Sequence, residues 1–214
     1  MTRPLPTRAV LLDALGTLVE LEPPWVHLAA ALDIEPDDRV VRAVRAEMGY
    51  YKEHSHEGRD TDSLAALRAR CSAVLSRELG REVPVETMMA AIRFRAFDDA
   101  APALAQLRAA GLKLVCVSNW DVSLPDVLGR CGLDGAMDGI VTSAQVGARK
   151  PDPAIFLPAL RLADCSPDEA LYVGDTPEED LEGGRAAGIR TLLIDRDGGA
   201  DIDSLDAVRH HLNQ

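Results

Sequence analysis

The stretch Arg8-Ala9-Val10-Leu11-Leu12-Asp13-Ala14-Leu15-Gly16-Thr17 decides the fold. Its apolar residues, Ala9 to Leu12, form a run of strand length without polar alternation, the pattern of a parallel strand covered on both faces. The run ends on a carboxylate, and Gly16 allows a tight turn just beyond it. A second run, Leu112-Lys113-Leu114-Val115-Cys116-Val117, ends on Ser118-Asn119, and a third, Leu171-Tyr172-Val173, ends on Gly174-Asp175. Ligands of open α/β sheets bind at the carboxyl ends of the strands, so these polar groups share one expected location.

Outward from these runs, helical and strand patterns alternate from residue 99 onward: helices at 99–110, 122–130, 153–163 and 178–187, strands at 112–118, 139–142, 171–174 and 191–195. That alternation predicts an α/β doubly wound, Rossmann-like parallel sheet with helices on both faces. Gly111, Gly132 and Gly188 stand where helices should stop in a left-handed cap. Between Leu18 and about Asp98 the apolar positions recur at helical spacing and no strand-like run is expected. Val40, Val41, Val44, Met48 and Tyr51 line one helix, and Leu64, Leu67, Cys71, Val74, Leu75 and Leu79 line another, with shorter helices expected at 25–32 and 85–95. The reading is a core of residues 1–17 and 99–214 with an α-helical cap at 18–98, lying as a lid over the carboxyl edge of the sheet.

The chain has 214 residues, 47% of them apolar, which suffices for such a core. Its formal charge is −12, from 23 basic and 35 acidic side chains, which opposes binding to nucleic acid or an anionic membrane. A phosphate ligand must therefore be held by local cations. No apolar run reaches the roughly 20 residues of a membrane span, and the N-terminal stretch lacks a secretion signal, so a cytoplasmic address is expected. Cys71, Cys116, Cys131 and Cys165 form no Cys-x-x-Cys pair and read as buried reduced thiols. His54 and His56, between Glu53 and Glu57, offer metal-binding residue types but read equally as a solvated helix end. The Gly183-Gly184 region does not open a helix directly after a strand, so close helix-to-sheet packing is expected there instead of a dinucleotide site.

Asp13 suits a carboxylate nucleophile, which attacks phosphorus or carbon to give an ester that water then cleaves; the same residue also suits a turn or cap. Ser118 and Asn119 offer a hydroxyl, an amide and backbone donors for orienting equatorial oxygens. Lys150, before Pro151-Asp152-Pro153, supplies a fixed positive charge. Asp175 and Asp180 frame an acidic loop of hard oxygen donors suited to Mg²⁺, and equally to a helix N-terminus.

In order and flanking pattern, Asp13, Ser118, Lys150 and Asp175/Asp180 resemble the four motifs of the haloacid dehalogenase-like hydrolase superfamily, over essentially the whole chain. The resemblance implies the doubly wound core, a helical cap inserted after the first motif, and a metal site built from Asp13, the backbone carbonyl of Leu15, Asp175 and Asp180. One position departs. Family phosphatases carry an Asp two residues beyond the nucleophile as general acid/base, and this chain has Leu15. Family dehalogenases have Asp-Ala-Tyr-Gly-Thr-Leu, similar to Asp13-Ala14-Leu15-Gly16-Thr17-Leu18, and need no metal. The fourth motif resembles the metal-binding phosphatase version. The leading expectation is a Mg²⁺-dependent phosphatase of a small phosphorylated metabolite, working through an aspartyl-phosphate. The alternatives are a metal-independent 2-haloacid dehalogenase, with Arg39, Arg42 or Arg45 holding the substrate carboxylate, and a catalytically decayed binding protein. Tyr50, Tyr51, Lys52 and His54 are candidate cap contributors to the pocket, Trp120 suits either a site wall or core filling, and a monomer or homodimer is expected.

Overall fold

The computed structural model describes residues 6–212. The chain runs through β1 (Ala9–Leu12), β2 (Val19–Leu21), α1 (Pro24–Leu32), α2 (Asp38–His54), α3 (Thr61–Leu79), α4 (Val85–Ala91) and β3 (Phe94–Ala96). It continues through α5 (Ala100–Ala109), β4 (Lys113–Ser118), α6 (Leu124–Arg130), β5 (Gly139–Thr142), α7 (Ser143–Val146) and α8 (Phe156–Ala163). Last come β6 (Ala170–Gly174), α9 (Glu182–Ala186) and β7 (Arg190–Leu193).

The opening run becomes β1, the central strand of a five-stranded parallel sheet ordered β5-β4-β1-β6-β7. The winding proceeds outward from β1 to β5 and then returns to the other side of β1, so its direction reverses between β1 and β6. Crevices form at the carboxyl ends of such a reversal, and Asp13 and Asp175 follow those two strands directly. The register is fixed on both sides, because Leu12 stands opposite Cys116 of β4 and Val173 of β6.

Every residue of β1 is buried, as the uninterrupted apolar run requires. Val10, Leu12, Leu114 and Val173 face α5 and α6, whereas Leu11, Val115, Val117 and Tyr172 face Phe156 and Ala159 of α8. The close packing expected near Gly183 and Gly184 is present: a Cβ on Gly184 would lie 2.1 Å from Thr191 Oγ1.

A separate apolar cluster, drawn from residues between Trp25 and Ala91, holds the inserted helices together. Asp37 caps α2 by accepting from Arg39 N and Val40 N, and Asp60 forms a capping box with Ser63 at the start of α3. The expectation of an all-helical segment needs correction. The helix expected at 85–95 ends at Ala91, and Phe94–Ala96 instead pairs antiparallel with Val19–Leu21. Phe94 also packs on Trp120 at 5.1 Å between ring centroids, and Arg95 forms an ion pair with Glu20 at 2.7 Å. These partners lie more than 20 residues away along the chain, so they override a local helical pattern that carries no trace of them.

Gly49 lies inside α2, where a Cβ would meet nothing within 4 Å. Replacing it with alanine removes backbone freedom from the unfolded chain without a clash. Gly49→Ala is expected to raise stability by about 0.5–1 kcal/mol, read as a higher urea midpoint at unchanged slope.

Candidate active site

Lys150 Nζ donates to Asp13 Oδ1 at 2.6 Å, to Asp180 Oδ1 at 2.5 Å and to Tyr172 Oη at 2.9 Å. The Tyr172 hydroxyl in turn donates to Asp180 Oδ1 at 2.5 Å. Asp13 stands where β1 ends, its N–H bonded to Val173 O at 2.9 Å. Lys150 is held by its backbone: its N–H donates to Asn119 Oδ1 at 2.8 Å, and Asn119 Nδ2 donates to Lys150 O at 3.1 Å. Asp180 lies in the turn Pro177–Leu181, where its N–H donates to Thr176 O at 2.7 Å and its Oδ2 accepts from Thr176 N at 2.9 Å. Two glycines make the convergence possible. Gly174 must lack a Cβ, which would fall 2.3 Å from Asp180 Cγ, and Gly16 turns at φ +82° with its α-carbon close against Asp175.

The charges at this centre do not balance. Asp13, Asp180 and Lys150 are 5%, 1% and 2% exposed, and Asp13, Asp175 and Asp180 each offer an oxygen within 4.8 Å of the others. Burial pushes the Asp13 carboxyl up to about 7, against the pull of Lys150 and with Asp180 and Asp175 adding to the rise. Asp175 is raised too, by burial and then by Asp180. Burial opposes the charge on Lys150, but Asp13 and Asp180 outweigh it and hold the ammonium above its ordinary range. Three carboxylates around a single ammonium leave surplus negative charge on hard oxygens, a donor set that fits a divalent cation such as Mg²⁺.

Asp13, Leu15, Ser118, Asn119, Lys150, Asp175 and Asp180 all line one cavity of about 800 Å³ beneath the inserted helices. The structure alters what several of these residues can do. The Asn119 amide is committed to the Lys150 backbone and, at 2.9 Å, to Glu179, so it braces the lysine loop. Tyr51 and Lys52 line the cavity, whereas Tyr50 stacks on His54 at 4.2 Å and accepts from Arg70. His54 pairs with Glu57 at 2.7 Å, and among the described residues the only carboxylate, histidine or thiol cluster able to hold a metal is Asp13-Asp175-Asp180. Of the three arginines considered, Arg45 lines the cavity and Arg39 binds the Leu79 carbonyl. Trp120 serves both readings, lining the cavity while packed in the core.

Sequence reasoning missed Tyr172, Glu179 and Asp121. A tyrosine inside an otherwise aliphatic buried strand was the available signal for the first, since its hydroxyl must find a partner. Glu179 joins the inserted helices to the loop after β6 by pairing with Lys52 at 3.1 Å, and Asp121 joins them to the loop after β4 by accepting from the Tyr51 hydroxyl at 2.7 Å.

The model of the haloacid dehalogenase-like hydrolase family matches residues 7–188. The chain belongs to that family. The chain is 41% identical over 101 residues to human haloacid dehalogenase-like hydrolase domain-containing protein 3, covering 47% of the chain and 40% of that protein. It is 37% identical over 108 residues to a glyceraldehyde 3-phosphate phosphatase of Methanopyrus kandleri, covering 50% of the chain and 46% of that enzyme. The matched segments thus span less than half the length of these relatives. Among solved structures, a family phosphatase from Thermococcus onnurineus superposes with a TM-score of 0.69 at 25% identity, over 96% of the chain and 98% of that protein. An L-2-haloacid dehalogenase from Xanthobacter autotrophicus shares the fold with a TM-score of 0.71 at 20% identity, over 95% and 97% of the respective chains. No helix among the described residues is long and apolar enough to cross a membrane.

Removing the central cation leaves two buried carboxylates uncompensated. Lys150→Met is expected to cost about 3–5 kcal/mol, and adding Asp13→Asn should recover part of that loss. Denaturant unfolding of the single and double variants checks both statements, and a double variant less stable than the single one contradicts the charge argument.

Proposed function

We propose that this hydrolase is a Mg²⁺-dependent phosphatase of a small phosphorylated metabolite. In this reading residues 1–17 and 99–214 form the catalytic core and residues 18–98 the cap. The observation that carries it is the acidic cluster Asp13-Asp175-Asp180 around Lys150, since a dianionic phosphoryl group needs positive charge beyond one ammonium. The similarity to the Methanopyrus kandleri phosphatase supports a phosphate ester as substrate.

Lys150 engages Asp13 Oδ1, so attack falls to Oδ2. The bond from Oδ2 to phosphorus forms as the ester P–O bond breaks, and the departing oxygen takes its proton from solvent. Water then cleaves the aspartyl-phosphate, releasing inorganic phosphate and restoring the carboxylate. Ser118 and backbone N–H groups orient the equatorial oxygens, while Asn119 keeps Lys150 in place. Asp13, Asp175, Asp180 and the Leu15 carbonyl would hold Mg²⁺, which supplies charge neutralisation when bound.

Leu15 is 39% exposed and lines the cavity, but it can donate no proton. General acid catalysis contributes about 10²–10⁴-fold, so leaving groups that depart without a proton should be favoured. Across substituted phenyl phosphates the rate is expected to climb steeply as leaving-group pKa falls. Leu15→Asp should flatten that dependence and raise turnover of alkyl phosphates by about 10²-fold or more. EDTA should abolish phosphate release, and a metal-insensitive rate or a flat series in the unaltered enzyme contradicts the proposal.

Leu15 also favours a second reading, a dehalogenase in which Asp13 attacks the carbon bearing the halide. The acidic pair Asp175 and Asp180 weighs against it, because a metal-free displacement gains nothing from them. Chloride release from 2-chloropropionate that persists in EDTA would reverse the order. A decayed binding protein is the least favoured reading, since the buried Lys150 network would bring stability costs without a catalytic return.

A further inference from the structure

Among the buried acids described, Glu47 differs in its surroundings. Asp13 and Asp180 share Lys150, and Asp121 accepts from the Tyr51 hydroxyl and from Ser123 N at 2.7 Å each. Glu47, on α2, is 5% exposed and lines the same cavity as Asp13. Its only described polar neighbour is the Cys71 thiol of α3, a weak donor. Burial raises the Glu47 carboxyl above its ordinary range, and no cation acts against that rise. Tyr51 lies one turn further along α2 and also lines the cavity, as do Cys71 and Asp121.

Acids therefore predominate around this thiol. Cys71 is pushed up to about 12 by its burial, then by Glu47, and more weakly by Asp121, with Arg70 opposing. Lys52 also lines the cavity but is held by Glu179, and among the described residues neither Arg45 nor Arg68 forms an ion pair with Glu47. Met48 of α2, Met88 and Met89 of α4, and Ile92 just beyond α4 add an apolar lining. A buried carboxyl facing a cavity with only a thiol beside it lacks a strong donor, and a ligand can supply one.

We propose that Glu47 is the acceptor of a recognition subsite for a hydrogen-bond-donating group, an ammonium or a hydroxyl, on the organic part of the substrate. The inference rests on the phosphatase reading for the placement of the phosphoryl end, and assigns what lies at the other end. Glu47 takes no part in bond breaking. Its contribution is selection among phosphate esters, because an ester without a donor leaves the carboxyl unpaired while one with a donor satisfies it.

Phenyl, 4-(hydroxymethyl)phenyl and 4-(aminomethyl)phenyl phosphate provide the test, with binding measured by calorimetry in Mg²⁺ on protein carrying Asp13→Asn to prevent turnover. At least one donor-bearing ester is expected to bind about tenfold or more tighter than phenyl phosphate. Preference for the amine over the alcohol identifies an ammonium ligand, and the reverse identifies a hydroxyl. Adding Glu47→Leu should bring the three affinities to within about twofold of one another. The near-isosteric Glu47→Gln, which keeps the fold if the leucine variant does not, should abolish an ammonium preference and weaken a hydroxyl preference. Equal binding of all three esters, absence of binding by any, or a preference that survives both substitutions overturns the proposal. Hydrolysis of p-nitrophenyl phosphate by the unaltered enzyme reports separately on the phosphatase reading: its absence overturns that reading, while the calorimetry still decides the role of Glu47.

Discussion

The Lys150 ammonium, shared between Asp13 and Asp180, is the constraint on which the rest of the site depends. A lysine at 2% exposure survives in charged form only if its partners outweigh the loss of water, and the two carboxylates do so. Meeting that condition requires three chain segments to converge within hydrogen-bond distance. β1 delivers Asp13, the turn after β6 delivers Asp180, and Asn119 at the end of β4 holds both backbone polar groups of Lys150. The three strands are neighbours in the sheet, so the register that buries Leu12 between Cys116 and Val173 also sets the spacing of the charges. Packing thus fixes the geometry of the chemistry.

A second constraint concerns the joints of the inserted helices. Arg196, just beyond β7, donates to Thr17 O at 2.6 Å and to Asp99 Oδ2 at 2.5 Å, with its guanidinium 4.0 Å from the Phe97 ring centroid. Thr17 opens the outgoing linker and Asp99 closes the returning one, so a single side chain from the sheet side holds both. The β2–β3 ribbon ties the same linkers to each other. Across the mouth, Tyr51–Asp121 and Lys52–Glu179 join the insertion to loops that also carry catalytic candidates. Glu179 thus contacts both Lys52 of the insertion and Asn119, the residue that holds the Lys150 backbone.

Much of this was legible in the sequence because the informative features are local. Apolar runs ending in polar residues marked the strand ends, and glycines after helices marked the caps; Gly111, Gly132 and Gly188 all adopt positive φ. What escaped notice depends on partners distant in sequence. Phe94-Arg95-Ala96 continues a helical pattern until Val19-Glu20-Leu21 is placed beside it. Asn119 suggests a ligand-facing amide until the Lys150 peptide is found in contact with both ends of its side chain. Tyr172 is hidden for the opposite reason: it fits a buried strand so well that its hydroxyl draws no notice until the charge beside it is known.

On the proposed reading, the leucine at position 15 acquires a physical meaning from this arrangement. The charge-holding part of the site, Asp13, Lys150, Asp175 and Asp180, is built from the sheet and its adjoining loops, whereas residue 15 lies on the turn beyond β1 with its side chain in the cavity lining. A leucine there leaves the buried ion network intact, because no hydrogen bond of that network passes through the side chain of residue 15. Under the proposed phosphatase reading, neutralisation of a phosphoryl group and protonation of its leaving group would fall to separate parts of the site. On that reading the first is retained and the second is lacking, which would restrict the substrates to esters whose leaving groups are stable as anions. For such esters the barrier is dominated by charge build-up on the transferred group, the part of the proposed reaction that Lys150 and the acidic cluster would address.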